Sequence, residues 1–256
     1  MSTSNHHPKV LILTPVKDGA RHLARHAELI EALDWPAESL SVGLLEGDSR
    51  DDTYAIAESM LPRLRQRTRR AQLFRRDFGF SIPPRIPRWA PAYQIPRRAV
   101  LARARNHLLF HALDDEDWVL WIDVDVIDYP ADVLRRLLAT GFDVVVPNCV
   151  TQWGGPTFDQ NNWANDGATT LSDRRGTATM RLDSVGGTML LVKADLHRDG
   201  LIFPAYRYGA ESSRIRKQHP LGGKGEIETE GLGVMAADMG IQCWGLPDLE
   251  ILHANE

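Results

Sequence analysis

The chain has 256 residues, 43% hydrophobic and 25% charged, with a formal net charge of −4. That is enough apolar material for a sizeable α/β core, and it excludes a disordered or low-complexity chain and one whose overall charge draws it to nucleic acid. No stretch reaches the ~20 apolar residues of a bilayer span, the start MSTSNHHPK has no apolar signal core, and Cys149 and Cys243 have neither metal spacing nor disulfide density, so a cytoplasmic protein with at most peripheral membrane contact is expected.

Val10 to Pro15 is a short apolar run ended by proline and predicts a buried strand. Leu23, Ala27, Ile30 and Leu33 recur at helical spacing, and Trp35-Pro36 ends that helix. Leu40 to Leu45 predicts a second strand. It runs into Glu46-Gly-Asp-Ser-Arg-Asp-Asp-Thr53, where Asp51 or Asp52 caps a helix carrying Tyr54, Ala57, Leu61 and Leu64 on one face. Pro62 is expected to kink or shorten it. Residues 77–97 hold five prolines with Trp89 and Tyr93 and read as a long functional loop. A helix from about Arg97 to Leu113 leads to a third strand, Trp118 to Ile122, which ends in Asp123-Val-Asp125. Pro130 suits the first position of a helix that stops at Gly141, and Asp143 to Pro147 is a fourth strand. Residues 151–181 show no period. Val185 to Val192 returns to strand character, and Phe203 to Glu228, with Gly222, Gly223 and Gly225, reads as a mobile loop. Thr229 to Met239 is a short helix, and Ile241 to Leu246 and Leu249 to Leu252 are two closing strands. This alternation predicts an α/β fold with a mostly parallel central sheet, helices on both faces and ligands at the carboxyl ends of the strands. One domain over 1–256 is expected, with a nucleotide-binding half near 9–147 and an acceptor half near 148–256.

In an extended segment Asp123 and Asp125 point the same way, and two adjacent carboxylates repel unless a cation joins them. Oxygen ligands suit Mn²⁺ or Mg²⁺, which keep positions for substrate phosphates. The same pair could serve only as capping aspartates in a turn. His253 is a good ligand type at the end of the last strand, though a lone histidine is more often a plain core or surface residue. Arg103 and Arg105 lie two apart and cannot share a helix face, so one can meet a ligand phosphate while the other pairs with an acid. Glu228 and Glu230 flank Thr229 just before a helix, where a carboxylate could orient an acceptor hydroxyl or serve only as a first-turn acid favoured by the helix dipole, the reading preferred from sequence. Asp48 stands where nucleotide-binding sheets often place a ribose contact. Asp159, Asn161 and Trp163 combine polar groups with an aromatic plate suited to sugars. Thirteen arginines and one acid, Asp77, between Arg63 and Arg105 suit either an anionic partner or a solvated face.

Taken in order, these pieces resemble the Anp1/Mnn9/Van1 family of α-mannosyltransferases, which have a GT-A fold. The matching segments are Ile12-Leu-Thr-Pro15, Gly47-Asp-Ser49, Asp51-Asp-Thr53, Phe74-Arg-Arg-Asp-Phe-Gly79, Arg97-Arg98, Ala102-Arg-Ala-Arg-Asn106, Trp118 to Asp125, Val146-Pro-Asn148, Asp159-Gln-Asn-Asn-Trp163, Thr229-Glu-Gly231 and Leu252-His253. The resemblance implies a Rossmann-like GT-A fold, GDP-mannose as donor, Mn²⁺ as cofactor and retention at the anomeric carbon. It assigns Asp125 and His253 to the metal and Asp123 to metal or ribose. It places Thr14, Pro15 and Asp48 near the nucleotide and favours Glu230 and Arg105 as catalytic groups. Arg103, Asn148, Asp159 and Asn161 complete the expected nucleotide-sugar contacts. The fungal members carry a membrane anchor that this sequence does not show, so their mannan acceptor and partner subunits do not carry over; a glycan or small hydroxyl compound is the expected acceptor. The 25 arginines against 5 lysines suggest a bacterial source. An Asp-x-Asp phosphohydrolase with Asp123 as nucleophile is one alternative, although Ile127 stands where such enzymes carry Thr or Val. A non-catalytic nucleotide-sugar-binding protein is the other.

Overall fold

The computed structural model describes residues 7–87, 90–212 and 224–255. Trp89, Gly222 and Gly223 lie outside the described residues. Among the described residues six α-helices and eleven strands follow one another: β1 (Val10–Val16), α1 (Ala20–Glu31), β2 (Leu40–Glu46), α2 (Thr53–Arg67), β3 (Arg70–Arg75), α3 (Pro91–Ala112), β4 (Trp118–Ile122), β5 (Val126–Asp128), α4 (Val133–Ala139), β6 (Val144–Val150), β7 (Trp163–Ala164), β8 (Thr169–Thr170), β9 (Met180–Leu182), β10 (Met189–Lys193), α5 (Ala194–Arg198), α6 (Glu228–Asp238) and β11 (Cys243–His253).

Nine strands form one sheet in the order β3-β2-β1-β4-β10-β6-β11-β5, with β9 on β11. Strands β3, β2, β1 and β4 are parallel neighbours. β10 runs antiparallel between β4 and β6, and β6 is parallel to β11. Six of the nine strands therefore share one direction, and β5, β9 and β10 oppose it. The apolar runs of β1, β2, β4 and β6 are explained by burial on both faces. One face packs α1, α2 and α4 through Leu23, Ala27, Leu61, Leu64 and Leu137. The other packs α3 and α6 through Ala102, Leu108, Leu109, Leu232 and Ala236.

Several elements differ from the sequence reading, each for a physical reason. β3 went unforeseen, because Arg70-Ala-Gln-Leu-Phe-Arg75 is the polar edge of the sheet and lacks a buried run. The strand ahead of Asp123 is thus the fourth. α3 starts at Pro91 rather than Arg97, taking Tyr93 and Pro96 out of the loop; Pro91 opens the helix, where a missing N–H costs nothing. Pro62 lies inside α2, which continues to Arg67. Asp51, rather than Asp52, supplies the side-chain bond at the start of α2, its Oδ1 accepting from Thr53 N at 3.1 Å. α4 begins at Val133, after a turn in which Val133 N donates to the Pro130 carbonyl. β10 covers only the second half of 185–192. The two closing strands are one strand, β11, whose register against β6 shifts between Leu246 and Glu250. Among the described residues no helix is long and apolar enough to cross a membrane.

Candidate active site

The carboxyl ends of β1, β2 and β4 open on a cleft of about 420 Å³ lined by Pro15, Lys17, Leu45, Asp48, Arg50, Phe78, Arg97, Asp123 and Asp125. A second cleft of about 460 Å³ adjoins it, lined by Arg97, Arg105, Asp123, Phe158, Asp159, Asn161, Glu228, Glu230 and His253. Arg97, Leu101 and Asp123 belong to both. The acidic pair thus stands where two clefts meet.

Asp125 lies just past β4 and His253 ends β11, and His253 Nε2 is 3.1 Å from Asp125 Oδ1. The Ala254 carbonyl accepts from His253 Nδ1 at 2.7 Å, which orients the ring and leaves Nε2 for the Asp125 side. Burial works against a charged His253, but the hydrogen bond and charge of Asp125 outweigh it and raise the pKa. Asp123 faces the other way: its Oδ1 accepts from Arg105 Nη2 at 2.8 Å. Burial pushes the Asp123 carboxyl up to about 6, with Arg105 opposing and Asp125, Asp159 and Glu228 adding to the rise. Among the described residues no three acid, histidine or cysteine side chains converge tightly enough to hold a metal by themselves. Asp125 and His253 form an oxygen-nitrogen pair of the kind Mn²⁺ accepts, with room for substrate oxygens. Asp123 Oδ1 is engaged by Arg105.

Arg98 and Arg105 lie seven apart, two turns along one face of α3, and both are buried. Arg105 Nε donates to Glu228 Oε1 at 3.0 Å, and its guanidinium carbon lies 5.5 Å from the Trp121 ring and 5.4 Å from the Phe203 ring. Arg98 Nη1 donates to Glu230 Oε2 at 2.6 Å, and Nη2 to the Ile227 carbonyl. Glu230 Oε1 accepts from Trp163 Nε1 at 3.0 Å. Asp159 accepts from Thr188 Oγ1 at 3.0 Å and Asn161 N at 3.2 Å; burial raises its pKa. Asn161 Nδ2 donates to Thr229 Oγ1 at 3.3 Å. Asp123, Asp125, Asp159, Glu228 and Glu230 outnumber Arg97, Arg98 and Arg105 at this centre, which suits a bound cation.

Other expected residues fall elsewhere. Pro15 lines the first cleft, but Thr14 is fully buried beneath it, sharing a 3.0 Å hydrogen bond with His26 Nε2. Asp48 lines the cleft with its carboxylate already used: it accepts from the backbone N–H of Phe78 at 2.9 Å and of Gly79 at 3.0 Å. Burial would raise its pKa, but these bonds, a third from Phe80 and the Lys17 charge lower it. Asp48 therefore shapes the wall of the cleft by holding the 78–80 segment. Asn148 lines neither cleft. It is fully buried, with Oδ1 accepting from Thr157 Oγ1 at 2.9 Å and Nδ2 donating to the Pro247 carbonyl at 3.3 Å, where it fills the irregular step of β11. Arg103 points to the exposed side of α3, its guanidinium carbon 5.8 Å from the Phe78 ring. Sequence reading assigned no site role to Lys17, Arg50, Arg97 or Phe158, and preferred a helix-start role for Glu228 over an acceptor-orienting one. The signal for Glu228 was the alternation Glu226-Ile-Glu-Thr-Glu230 set against arginines seven apart.

The family model described as Anp1 matches residues 1–176 and 167–207. The chain is 30% identical over 291 residues to the mannan polymerase II complex anp1 subunit of Schizosaccharomyces pombe, covering 97% of this chain and 64% of that one. It is 26% identical to the mannan polymerase complex subunit MNN9 of Candida albicans, covering 98% and 76%. This chain thus spans less than two thirds of the fission-yeast relative. These relatives are fungal, and the arginine bias carries no inference about source. Among solved structures, a mannosyltransferase from Pyrobaculum calidifontis in complex with GDP-mannose and Mn²⁺ superposes with a TM-score of 0.62 at 18% identity, covering 98% of this chain and 58% of that one. S. aureus TarS (residues 1–349) with UDP-GlcNAc gives 0.58 at 14%, covering 97% and 59%. The fold is GT-A.

Proposed function

Since the chain belongs to the Anp1 family, we propose that it is a metal-dependent glycosyltransferase, moving mannose from GDP-mannose, with retention, to a hydroxyl of a glycan or small acceptor. The observation that carries this is the Asp125–His253 pair at 3.1 Å, set at the junction of two clefts beside the ion pair of buried Arg105 with half-buried Asp123. In this reading residues up to about 147 supply the donor side and the rest the acceptor side. Mn²⁺ in the structure of a protein of the same fold is in keeping with this choice of cation, with Mg²⁺ as a substitute. Both cysteines are buried and unpaired, consistent with the cytoplasmic location proposed.

The nucleotide occupies the first cleft, against Pro15, Leu45 and Phe78, with Lys17 and Arg50 positive at its rim. Asp125 and His253 would hold a divalent cation, which would supply positive charge against that building on the diphosphate as the bond to the sugar breaks. Arg105 adds fixed positive charge at the same end of the bond. The sugar lies in the second cleft, walled by Asp159 and Asn161. Glu230 acts by fixing Trp163 and Arg98 as that wall. An Asp123 nucleophile for phosphate transfer has less support, because its carboxylate is engaged by Arg105.

A thermal-shift screen of nucleotides and nucleotide sugars, with and without Mn²⁺, tests the reading, since ligands that bind the native state raise the midpoint. A GDP-specific, Mn²⁺-dependent rise is expected. An equal rise with UDP overturns the mannosyl donor, and no rise with any nucleotide overturns the transferase.

A further inference from the structure

Glu228 opens α6 with φ = 60°. That left-handed conformation is unfavourable for a side chain as long as glutamate and comes readily to glycine or asparagine. The residue is 3% exposed, so the strain is held inside the molecule rather than at a mobile surface. What the conformation achieves is the placement of one carboxylate. Oε1 accepts from Arg105 Nε at 3.0 Å, Oε2 accepts from Thr229 Oγ1 at 2.9 Å, and Arg98 Nε stands 3.9 Å from Oε2. The guanidinium of Arg105 is planar, so fixing Nε at Glu228 and Nη2 at Asp123 fixes the whole plane. Nη1 is then buried and without a hydrogen-bond partner, on a residue that lines the second cleft. An unpaired buried donor of a charged group is costly unless a ligand oxygen completes it.

We propose that Glu228 is the positioning residue for Arg105: it sets the guanidinium plane so that Nη1 is kept for an oxygen of the bound substrate. The proposal rests on the glycosyltransferase reading for the identity of that substrate, but not for the Glu228–Arg105 bond. Glu230, two residues on, does not share this role, since its oxygens are taken by Trp163 and Arg98 on the wall.

The test compares Glu228→Gln, Glu228→Asn, Arg105→Lys and the Glu228→Gln/Arg105→Lys double variant, each checked for folding by thermal unfolding. Turnover of GDP-mannose with Mn²⁺ is measured beside GDP affinity. Glu228→Gln is expected to lower kcat about 100-fold, the scale of removing one aligned electrostatic donor, with GDP affinity within about threefold. The double variant is expected to be no slower than Arg105→Lys alone, because the two residues act as one unit. Glu228→Asn, better suited to the backbone, is expected to unfold no lower than Glu228→Gln and to be no more active. Independently of turnover, the Arg105 Nε–H proton in ¹⁵N-arginine-labelled protein is expected downfield and to move upfield in Glu228→Gln. Additive losses, a kcat within about threefold of the parent, or an unmoved Arg105 resonance overturn the proposal. Absence of turnover with every nucleotide sugar in the parent protein overturns the transferase reading instead, and the Arg105 resonance then decides the bond on its own.

Discussion

Replacing Arg98 by methionine keeps the bulk of the side chain and removes its charge. Arg98 is buried, donates to Glu230 at 2.6 Å and to the Ile227 carbonyl, and faces Glu228 at 3.9 Å. Its loss leaves a buried carboxylate with reduced compensation. Removing one partner of such a pair costs about 3–5 kcal/mol. Glu230 keeps its bond from Trp163 at 3.0 Å, which places Arg98→Met near the lower end, about 3 kcal/mol. In a chain of this size that lowers the thermal midpoint by about 6–12 °C. Adding Glu230→Gln removes the stranded charge and still lets the amide oxygen accept from Trp163. The double variant should therefore recover at least about half of the loss. Thermal unfolding followed by circular dichroism reads both numbers. A drop below about 3 °C for Arg98→Met, or a double variant less stable than the single, would refute the assignment of Arg98 and Glu230 to the structural wall of the second cleft.

Acid sensitivity should arise in part from His26, whose pKa burial lowers from 6.5 to about 4. Because the folded value lies below the unfolded one, its stabilising contribution is full above pH 6.5 and is lost as pH falls toward 4, about 3 kcal/mol in all; urea melts of His26→Gln should show a flatter slope in that window, and an unchanged slope would refute it. A Cβ at Gly187 would stand 2.5 Å from Arg105 Nη2 and 3.0 Å from Thr229 Cγ2. Gly187→Ala should therefore push Arg105 off Asp123, lowering kcat by about tenfold or more and lowering the thermal midpoint as well, since overpacking a buried site costs about 1–3 kcal/mol, checked by donor turnover and thermal unfolding. Asp48→Ala frees the Phe78 and Gly79 N–H groups and should weaken GDP by about tenfold through loss of the cleft wall, read by calorimetry.

What the sequence disclosed about the fold was carried by periodicity. The runs at Val10, Leu40, Trp118 and Val144 are strands buried on both faces and could hardly be missed. β3 was hidden because an edge strand needs no continuous apolar run. The start of α3 was hidden because Pro91 and Pro96 read as loop residues, although Pro91, in the first turn, surrenders no hydrogen bond and Pro96 is carried inside the helix. The direction of β10 left no mark in sequence, since a buried antiparallel strand between parallel ones is as apolar as they are. At the site, Asp123 and Asp125 stood out from their place at a strand end. His253 stood out as a ligand type at the end of the last strand, and the resemblance assigned it, with Pro15, to the site. Asn148 misled because a motif residue can serve packing: its amide fills the step beside Pro247. Asp48 has its place but not its expected freedom, since local backbone N–H groups consume its oxygens.

The central claim, that Asp125 with His253 holds a divalent cation for a nucleotide diphosphate, is tested most directly by calorimetric titration of GDP into the parent protein and Asp125→Asn, each with and without Mn²⁺. The parent should bind GDP at least about tenfold more tightly with Mn²⁺, and Asp125→Asn should bind it weakly and equally in both conditions. An Asp125→Asn protein that keeps the full Mn²⁺-dependent gain would contradict the account.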